Sequence, residues 1–153
     1  MSKNRLLAFA AFFFALVAFV LYVASFLRPP FRGFLFLFMV LNLAFWMVAL
    51  TIGRGRGEAK LSFRLPKAAP SSVKPLKISL PAFCVVSLIP VLLGGTPIQR
   101  DGQFLKNTVT GVIREVSRDE YSKLECAEER LFSGVWFSLD IVLALTLWFK
   151  ETR

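Results

Sequence analysis

One acidic residue lies at the centre of a long apolar segment, and it is the residue best placed to do chemistry. Asp140 is the middle residue of the apolar run Leu131–Phe149. A carboxylate at the centre of a bilayer costs about 2.5–3.5 kcal/mol or more on insertion scales, unless it is paired or protonated. Asn42 lies near the middle of a second apolar run, and Ser87 and Cys84 flank the middle of a third. We therefore expect these four side chains to lie at similar depth and to form an intramembrane polar cluster.

Three interpretations of Asp140 are open at this point. In the first, Asp140 is hydrogen-bonded to Asn42 or Ser87 and forms a site that responds to protons, cations or a ligand. In the second, a neutral Asp140 bonds to Asn42 and joins two helices, an interaction worth roughly 0.6–2 kcal/mol. In the third, Asp140 contacts a helix of another protein. One acid without a basic partner does not make a transport pathway.

The rest of the composition argues against an enzyme. The 153-residue chain has no histidine, which removes the commonest metal ligand and general base. It has two cysteines, Cys84 inside an apolar run and Cys126 in a loop, and their different depths predict no disulfide between them. The sequence therefore predicts no catalytic residue, no metal site and no cofactor. Five acids before the last run are interpreted as the solvated face of a helix, with weak cation binding as the alternative: Asp119, Glu120, Glu125, Glu128 and Glu129.

Four apolar runs must position these residues. A helix needs about 20 mostly apolar residues to cross a hydrocarbon core of about 30 Å, and each run is that long or close to it. Because hydrophobic residues make up 56 % of the chain, the excess of apolar surface must face lipid. The sequence predicts an all-α membrane protein, an antiparallel bundle of four transmembrane helices in a single domain over residues 1–153. The predicted spans are Leu6–Leu27, Phe34–Ile52, Ile78–Gly95 and Leu131–Phe149.

The first run has a second interpretation as a cleaved signal peptide, because it follows the basic residues Lys3 and Arg5. Its apolar stretch is longer than the roughly 7–15 residues of a signal sequence. A retained span is therefore favoured.

Side-chain types within the runs predict how the spans pack. Small residues at helical spacing let membrane helices approach closely. The first run has four such residues, Ala8, Ala11, Ala15 and Ala18. Three tryptophans are interpreted as bundle or interface aromatics: Trp46, Trp136 and Trp148.

Lysine and arginine predict the orientation, because they favour the cytoplasmic loops of membrane proteins. Eleven lie in the N-terminus, the loop 53–77 and the C-terminal tail, and eight lie in the two remaining links. Acids widen the contrast to net charges of +9 and +1. Both termini and the loop 53–77 are predicted to be cytoplasmic, and residues 96–130 extracytoplasmic, in the cytoplasmic membrane of a bacterium. Since the membrane explains the basic charge, nucleic acid is not expected as a partner.

Residues 96–130 are predicted to form a small cap outside the membrane. Two β-prone stretches, Phe104–Asn107 and Val112–Val116, flank Thr108–Gly111 and favour a hairpin. Ser117 and Glu120 form a capping box that starts a helix, and no breaker separates that helix from the last run. One apolar side of the helix and a basic residue beyond it are the predicted docking surface for a partner: Tyr121, Leu124 and Arg130.

Part of the segment 96–130 and the start of the last run resemble segments of other proteins. The stretches Phe104–Asn107, Val112–Ser117, Glu120-Tyr121 and Glu129–Trp136 are similar to segments of uncharacterised four-span bacterial membrane proteins. The similarity covers about 33 residues. It implies fold and location only, and it carries no activity.

A non-enzymatic accessory or interaction protein is the function that these features favour. Such a protein would act through its membrane bundle and through its outer cap, which would dock a membrane or extracytoplasmic partner. An immunity-type protein that guards the outer face of the membrane is one version. A small transporter or channel component that uses Asp140 is the alternative, and a membrane enzyme is the least favoured. The sequence predicts no oligomeric state.

Overall fold

The structure is a computed structural model, and it describes residues 2–26, 32–53 and 75–150. This part of the chain is mostly helical, with one small sheet. Most of the link between the first two predicted spans and most of the predicted loop 53–77 lie outside the described residues. The elements in chain order are α1 (Lys3–Ala24), α2 (Arg32–Gly53), α3 (Leu76–Gly94), β1 (Thr96–Arg100), β2 (Gln103–Asn107), β3 (Ile113–Glu115) and α4 (Arg118–Lys150).

Three of the four helices that the structure describes are long and apolar enough to cross a membrane. They are α1, α2 and α4, and the apolar part of α3, Ile78–Gly94, is shorter. Many large apolar side chains of these helices are exposed, for example Phe36 at 71 % and Leu93 at 85 %. Because water is a poor solvent for such a surface and hydrocarbon is a good one, the helices indicate a membrane protein.

The helix α1 packs closely along α4 through its small residues. Phe9 contacts Trp148 near one end of the pair and Phe19 contacts Phe137 near the other, each with ring centroids 5.5 Å apart. Residue numbers rise along α1 as they fall along α4, so the two helices are antiparallel. The predicted alanine stripe is confirmed as a packing face, because all four members are at most 1 % exposed: Ala8, Ala11, Ala15 and Ala18.

The helix α3 also packs antiparallel to α4, but it is displaced along it. The carbonyl of Leu80 lies 3.5 Å from the hydroxyl of Ser138, and Gly94 lies against the side chain of Leu124. The end of α3 is therefore level with a part of α4 that precedes the apolar run. Two prolines, Pro81 and Pro90, lie inside this helix.

The three strands form an antiparallel sheet in the order β1-β2-β3. The predicted hairpin is confirmed, since Asn107 pairs with Ile113 and Leu105 pairs with Glu115. The strand β1 was not predicted. It pairs with β2 across a two-residue turn at Asp101 and Gly102, whose φ angles of 51° and 80° are those of a type I′ turn.

The glycine that joins α3 to the sheet is needed for two reasons. Gly95 has a φ of 88°, and a Cβ there would lie 2.5 Å from the backbone oxygen of Asn107. Replacing Gly95 with alanine is expected to lower the stability of the folded state by about 1–3 kcal/mol through backbone strain, with the clash added to it. Gly102→Ala is the matched control, because Gly102 has a similar φ of 80° but open space around it. Equal losses of thermal unfolding midpoint in the two variants would contradict the role given to the contact with Asn107.

The long helix α4 connects the sheet to the apolar bundle without a break. It begins after Ser117, whose hydroxyl accepts a hydrogen bond from the backbone N–H of Glu120 at 3.2 Å. The predicted N-cap is thus confirmed. The carboxylate of Glu120 is 2.6 Å from the ammonium group of Lys106, so it ties the first turn of α4 to β2. The helix then continues through residue 150, which confirms the prediction of a continuous rod.

Candidate functional site

Asp140 forms the centre of a buried polar site between α2 and α4. The side-chain amide of Asn42 donates to Asp140 Oδ2 at 2.8 Å, and the indole N–H of Trp46 donates to Asp140 Oδ1 at 2.8 Å. Asp140 and Asn42 are completely buried, and Trp46 is 7 % exposed. Each carboxylate oxygen thus has its own donor from α2. The Asp140 side chain therefore links α4 to α2 through two hydrogen bonds.

Trp46 is the residue of this site that sequence reasoning missed. It was interpreted with Trp136 and Trp148 as a bundle or interface aromatic. The signal was present, because Asn42 and Trp46 are four residues apart and therefore lie on one face of a helix. An indole N–H in an apolar environment also needs an acceptor, and Asp140 provides one.

The amide oxygen of Asn42 is unsatisfied in this site. Asn42 Oδ1 is buried and has no hydrogen-bond partner among the described residues. A buried polar atom without a partner carries a free-energy penalty of about 1–3 kcal/mol. It is the one feature of the site that fits a role other than joining α2 to α4.

Ser87 and Cys84 do not join the site, which corrects the predicted four-residue cluster. A Cβ added at Gly134 would meet the Ser87 hydroxyl at 2.6 Å, so Ser87 is level with Gly134 rather than with Asp140. The two levels differ by six residues of α4, or about 9 Å along the helix axis. The Ser87 hydroxyl instead donates to the carbonyl of Phe83, one turn earlier in its own helix, at 2.8 Å. Cys84 is a partly buried free thiol on the same part of α3.

The predicted docking residues of the cap are also corrected. Tyr121 is 4 % exposed and contacts the ring of Phe104 at 4.9 Å, and Leu124 is 7 % exposed. Both side chains belong to the interior of the cap, where they join α4 to the sheet and to the end of α3. Arg130 is half-buried, and its guanidinium group lies 4.5 Å from the ring centroid of Phe26 in a cation–π contact. Tyr121 and Leu124 are therefore not available to a partner as a docking surface.

A shallow groove separates the first turns of α2 from the cap end of the apolar part of α4. Its volume is about 250 Å³. One wall is apolar, and the other carries three of the acids that were interpreted as a solvated face. Of these, Glu129 is 3 % exposed, which corrects the predicted solvated face for that residue. Glu125 and Glu128 are half-buried, and the earlier acids Asp119 and Glu120 are exposed. The lining residues are Leu35, Phe36, Met39, Glu125, Glu128, Glu129 and Phe132.

Among the described residues, no group of three or more His, Cys, Asp or Glu side chains is placed to hold a metal ion. Comparisons with protein-family models, with curated proteins and with solved structures gave no match to this chain.

Proposed function

We propose that the chain is a four-span protein of the bacterial cytoplasmic membrane with a non-enzymatic accessory or interaction role. In this proposal α1, α2, α3 and the part of α4 after Leu131 lie in the bilayer. Both termini and the loop 53–77 are cytoplasmic, and the sheet with the first turns of α4 forms a cap outside. The role of the bundle is to hold this cap rigidly at the outer face, where it binds a partner.

The geometry of the helices supports the four-span arrangement. Helices α1 and α3 each run antiparallel to α4, as the contacts of Phe19 with Phe137 and of Leu80 with Ser138 indicate. The link between α1 and α2 is short, which favours antiparallel neighbours. Together these relations agree with four alternating spans. The distribution of lysine and arginine then favours cytoplasmic termini.

The paired state of Asp140 is the observation that carries the non-enzymatic role. Both of its oxygens accept hydrogen bonds from side chains of α2, and the site is closed to solvent. An acid that acted on a substrate would need an open face. The pairing instead supports a structural link that fixes α2 on α4, so that the cap stands on a rigid base.

The exposed part of the cap supports interaction with a polar partner. Charged side chains of both signs lie on β3 and on the first turns of α4. These exposed residues are Arg114, Glu115, Arg118, Asp119, Glu120 and Lys123. A mixed polar surface of this kind resembles the rim of transient protein interfaces, and α4 connects it directly to the membrane part.

Photocrosslinking in cells of the source organism tests this role. A photoreactive residue at Arg118 or Lys123 is expected to give a discrete protein adduct, since both positions are exposed on the cap. The same residue at Leu43, which is 56 % exposed on α2, is the matched control and is expected to give lipid adducts. Lipid adducts from Leu43 without any protein adduct from either cap position would contradict the interaction role.

A small transporter or channel component is the second candidate, and the unsatisfied Oδ1 of Asn42 favours it. An acceptor without a donor beside an intramembrane acid is an arrangement in which a proton or a cation could be held. Flux of protons and monovalent cations through purified protein in liposomes discriminates the two candidates. Asp140→Asn is expected to keep the fold, because an amide still hydrogen-bonds. Flux in the unaltered protein that disappears in this variant would establish the second candidate and contradict the first.

A further inference from the structure

Three aliphatic side chains are exposed at the tip of the β2–β3 hairpin, which we define as residues 108–113. Val109 is 71 % exposed, Val112 is 47 % exposed and Ile113 is 57 % exposed. They lie outside the four apolar runs, in the part of the chain that is proposed to face water. Neighbouring exposed aliphatic groups of this kind mark a surface that contacts something less polar than water.

The hairpin tip lies at the end of the sheet that is joined to α3. Thr96, the first residue of β1, pairs with Asn107, the last residue of β2. A Cβ added at Gly95 would lie 2.5 Å from the Asn107 oxygen and 3.4 Å from the Thr108 Cα. The tip therefore follows directly on the last turn of α3, whereas the opposite end of the sheet is the turn after Arg100.

The last turn of α3 presents apolar side chains to the surroundings. Leu92 is 50 % exposed and Leu93 is 85 % exposed. Because Gly94 is level with Leu124, these two side chains lie about 8–9 Å beyond the start of the α4 span at Leu131. In the proposed placement they are therefore in the interfacial layer of the bilayer, next to lipid headgroups and the ends of the acyl chains. Because the hairpin tip begins next to Gly95, the aliphatic groups of the tip continue the apolar surface of α3 beyond the end of the helix.

Several polar groups of the tip are paired with one another. The Thr108 hydroxyl donates to the Val112 carbonyl at 3.1 Å and accepts from the Val112 N–H at 3.2 Å. It also lies 2.9 Å from the Thr110 hydroxyl, and the Gly111 N–H donates to the Thr108 carbonyl at 2.8 Å. The sequence from Asn107 to Ile113 contains no charged residue. These pairings lower the cost of moving the turn out of water, because the transfer of polar groups is unfavourable chiefly when they lack partners.

We propose that the hairpin tip is a membrane anchor, in which Val109, Val112 and Ile113 enter the interfacial layer of the outer leaflet. The occupant of this apolar surface is lipid, because the surface continues the lipid-covered end of α3 and lacks charge. Arg114 is exposed directly after the tip, where it can meet anionic headgroups. This inference rests on the bilayer placement proposed above.

Fluorescent labelling at single cysteines in proteoliposomes tests the anchor. All variants carry Cys84→Ala and Cys126→Ala, so that an environment-sensitive dye attaches at one chosen position. Val109→Cys and Ile113→Cys report on the tip. Arg100→Cys, at the opposite end of the same sheet, is the matched control, and its side chain is 78 % exposed. Leu43→Cys reports on the bilayer placement itself.

The anchor predicts blue-shifted emission at both tip positions and quenching by lipids brominated near the headgroup. Aqueous iodide should quench a dye at residue 109 at least about threefold less than a dye at residue 100, because the two positions lie about 20 Å apart along the strands. Lipid quenching at residue 43 together with full iodide access at residues 109 and 113 would overturn the anchor alone. Full iodide access at residue 43 would overturn the bilayer placement as well.

Discussion

Replacing Asp140 with alanine is expected to destabilise the folded state by about 1–3 kcal/mol in detergent micelles. The change removes the acceptors of the Asn42 amide and of the Trp46 indole N–H, both of which bond to Asp140 at 2.8 Å in a buried site. The two donors would then be buried without partners. The measurement is the free energy of unfolding from denaturant titrations, followed by tryptophan fluorescence.

A matched control tests whether the loss of any polar group in α4 lowers the free energy of unfolding by as much. The hydroxyl of Thr146 donates to the carbonyl of Val142 in its own helix at 2.7 Å, so this hydrogen bond does not join two helices. Thr146→Ala is therefore expected to change the free energy of unfolding by less than about 0.5 kcal/mol, as substitutions away from packed polar contacts do. A double-mutant cycle of Asp140→Ala with Asn42→Ala should give a coupling energy of about 0.5–1.7 kcal/mol. Equal effects of Asp140→Ala and Thr146→Ala would contradict the role of Asp140 as a link to α2.

Enlarging the alanine stripe is expected to detach α1 from α4. Ala11 and Ala15 are at most 1 % exposed, so the extra atoms of leucine have no space. Overpacking costs about 1–3 kcal/mol at each position, and the double change Ala11→Leu with Ala15→Leu should unfold α1 from the bundle. Limited proteolysis in detergent measures this, because a detached helix is cut sooner.

The other face of α1 provides the control for the stripe. Leu16 is 60 % exposed, so Leu16→Phe adds volume where lipid or detergent can give way. This variant should retain the proteolysis rate of the unaltered protein. If Leu16→Phe and the double alanine variant were cut at the same rate, α1 would not depend on close approach to α4.

The pairing of Asp140 with Asn42 could be predicted because a charge in hydrocarbon must find a partner at its own depth. The prediction for Ser87 was wrong because it placed the centres of the runs at one level. The contact between α3 and α4 is set by small residues, with Gly134 against Ser87, and by Gly94 against Leu124. These contacts displace α3 by about 9 Å, and run lengths carry no information about such a displacement.

The cap shows a similar division between what could and could not be predicted. The hairpin at Thr108–Gly111 and the N-cap at Ser117 follow from local preferences, and the structure has both. The strand β1 was not predicted, and it contains Pro97, which has no N–H to donate to a neighbouring strand. Proline is tolerated in an edge strand, and β1 is at the edge of the sheet. The Asp101-Gly102 pair was the available signal.

The helical spacing of Tyr121 and Leu124 correctly predicted an apolar side of the helix. The prediction that this side contacts a partner protein was wrong. The side faces the cap's own sheet, where Tyr121 contacts Phe104. Periodicity identifies the side of a helix that is buried, and it does not identify what buries it. The periodicity could not show that the sheet of the same chain buries this side of the helix.

Labelling of single cysteines in intact cells tests the four-span placement most directly. The reagent is a maleimide that does not cross membranes, applied before and after permeabilisation to variants that lack Cys84 and Cys126. The four-span placement predicts that a cysteine at residue 100, in the cap, is labelled in intact cells. Cysteines at residues 3 and 153 should be labelled only after permeabilisation. Labelling of residues 3 and 153 from opposite sides, or protection of residue 100 in intact cells, would contradict it.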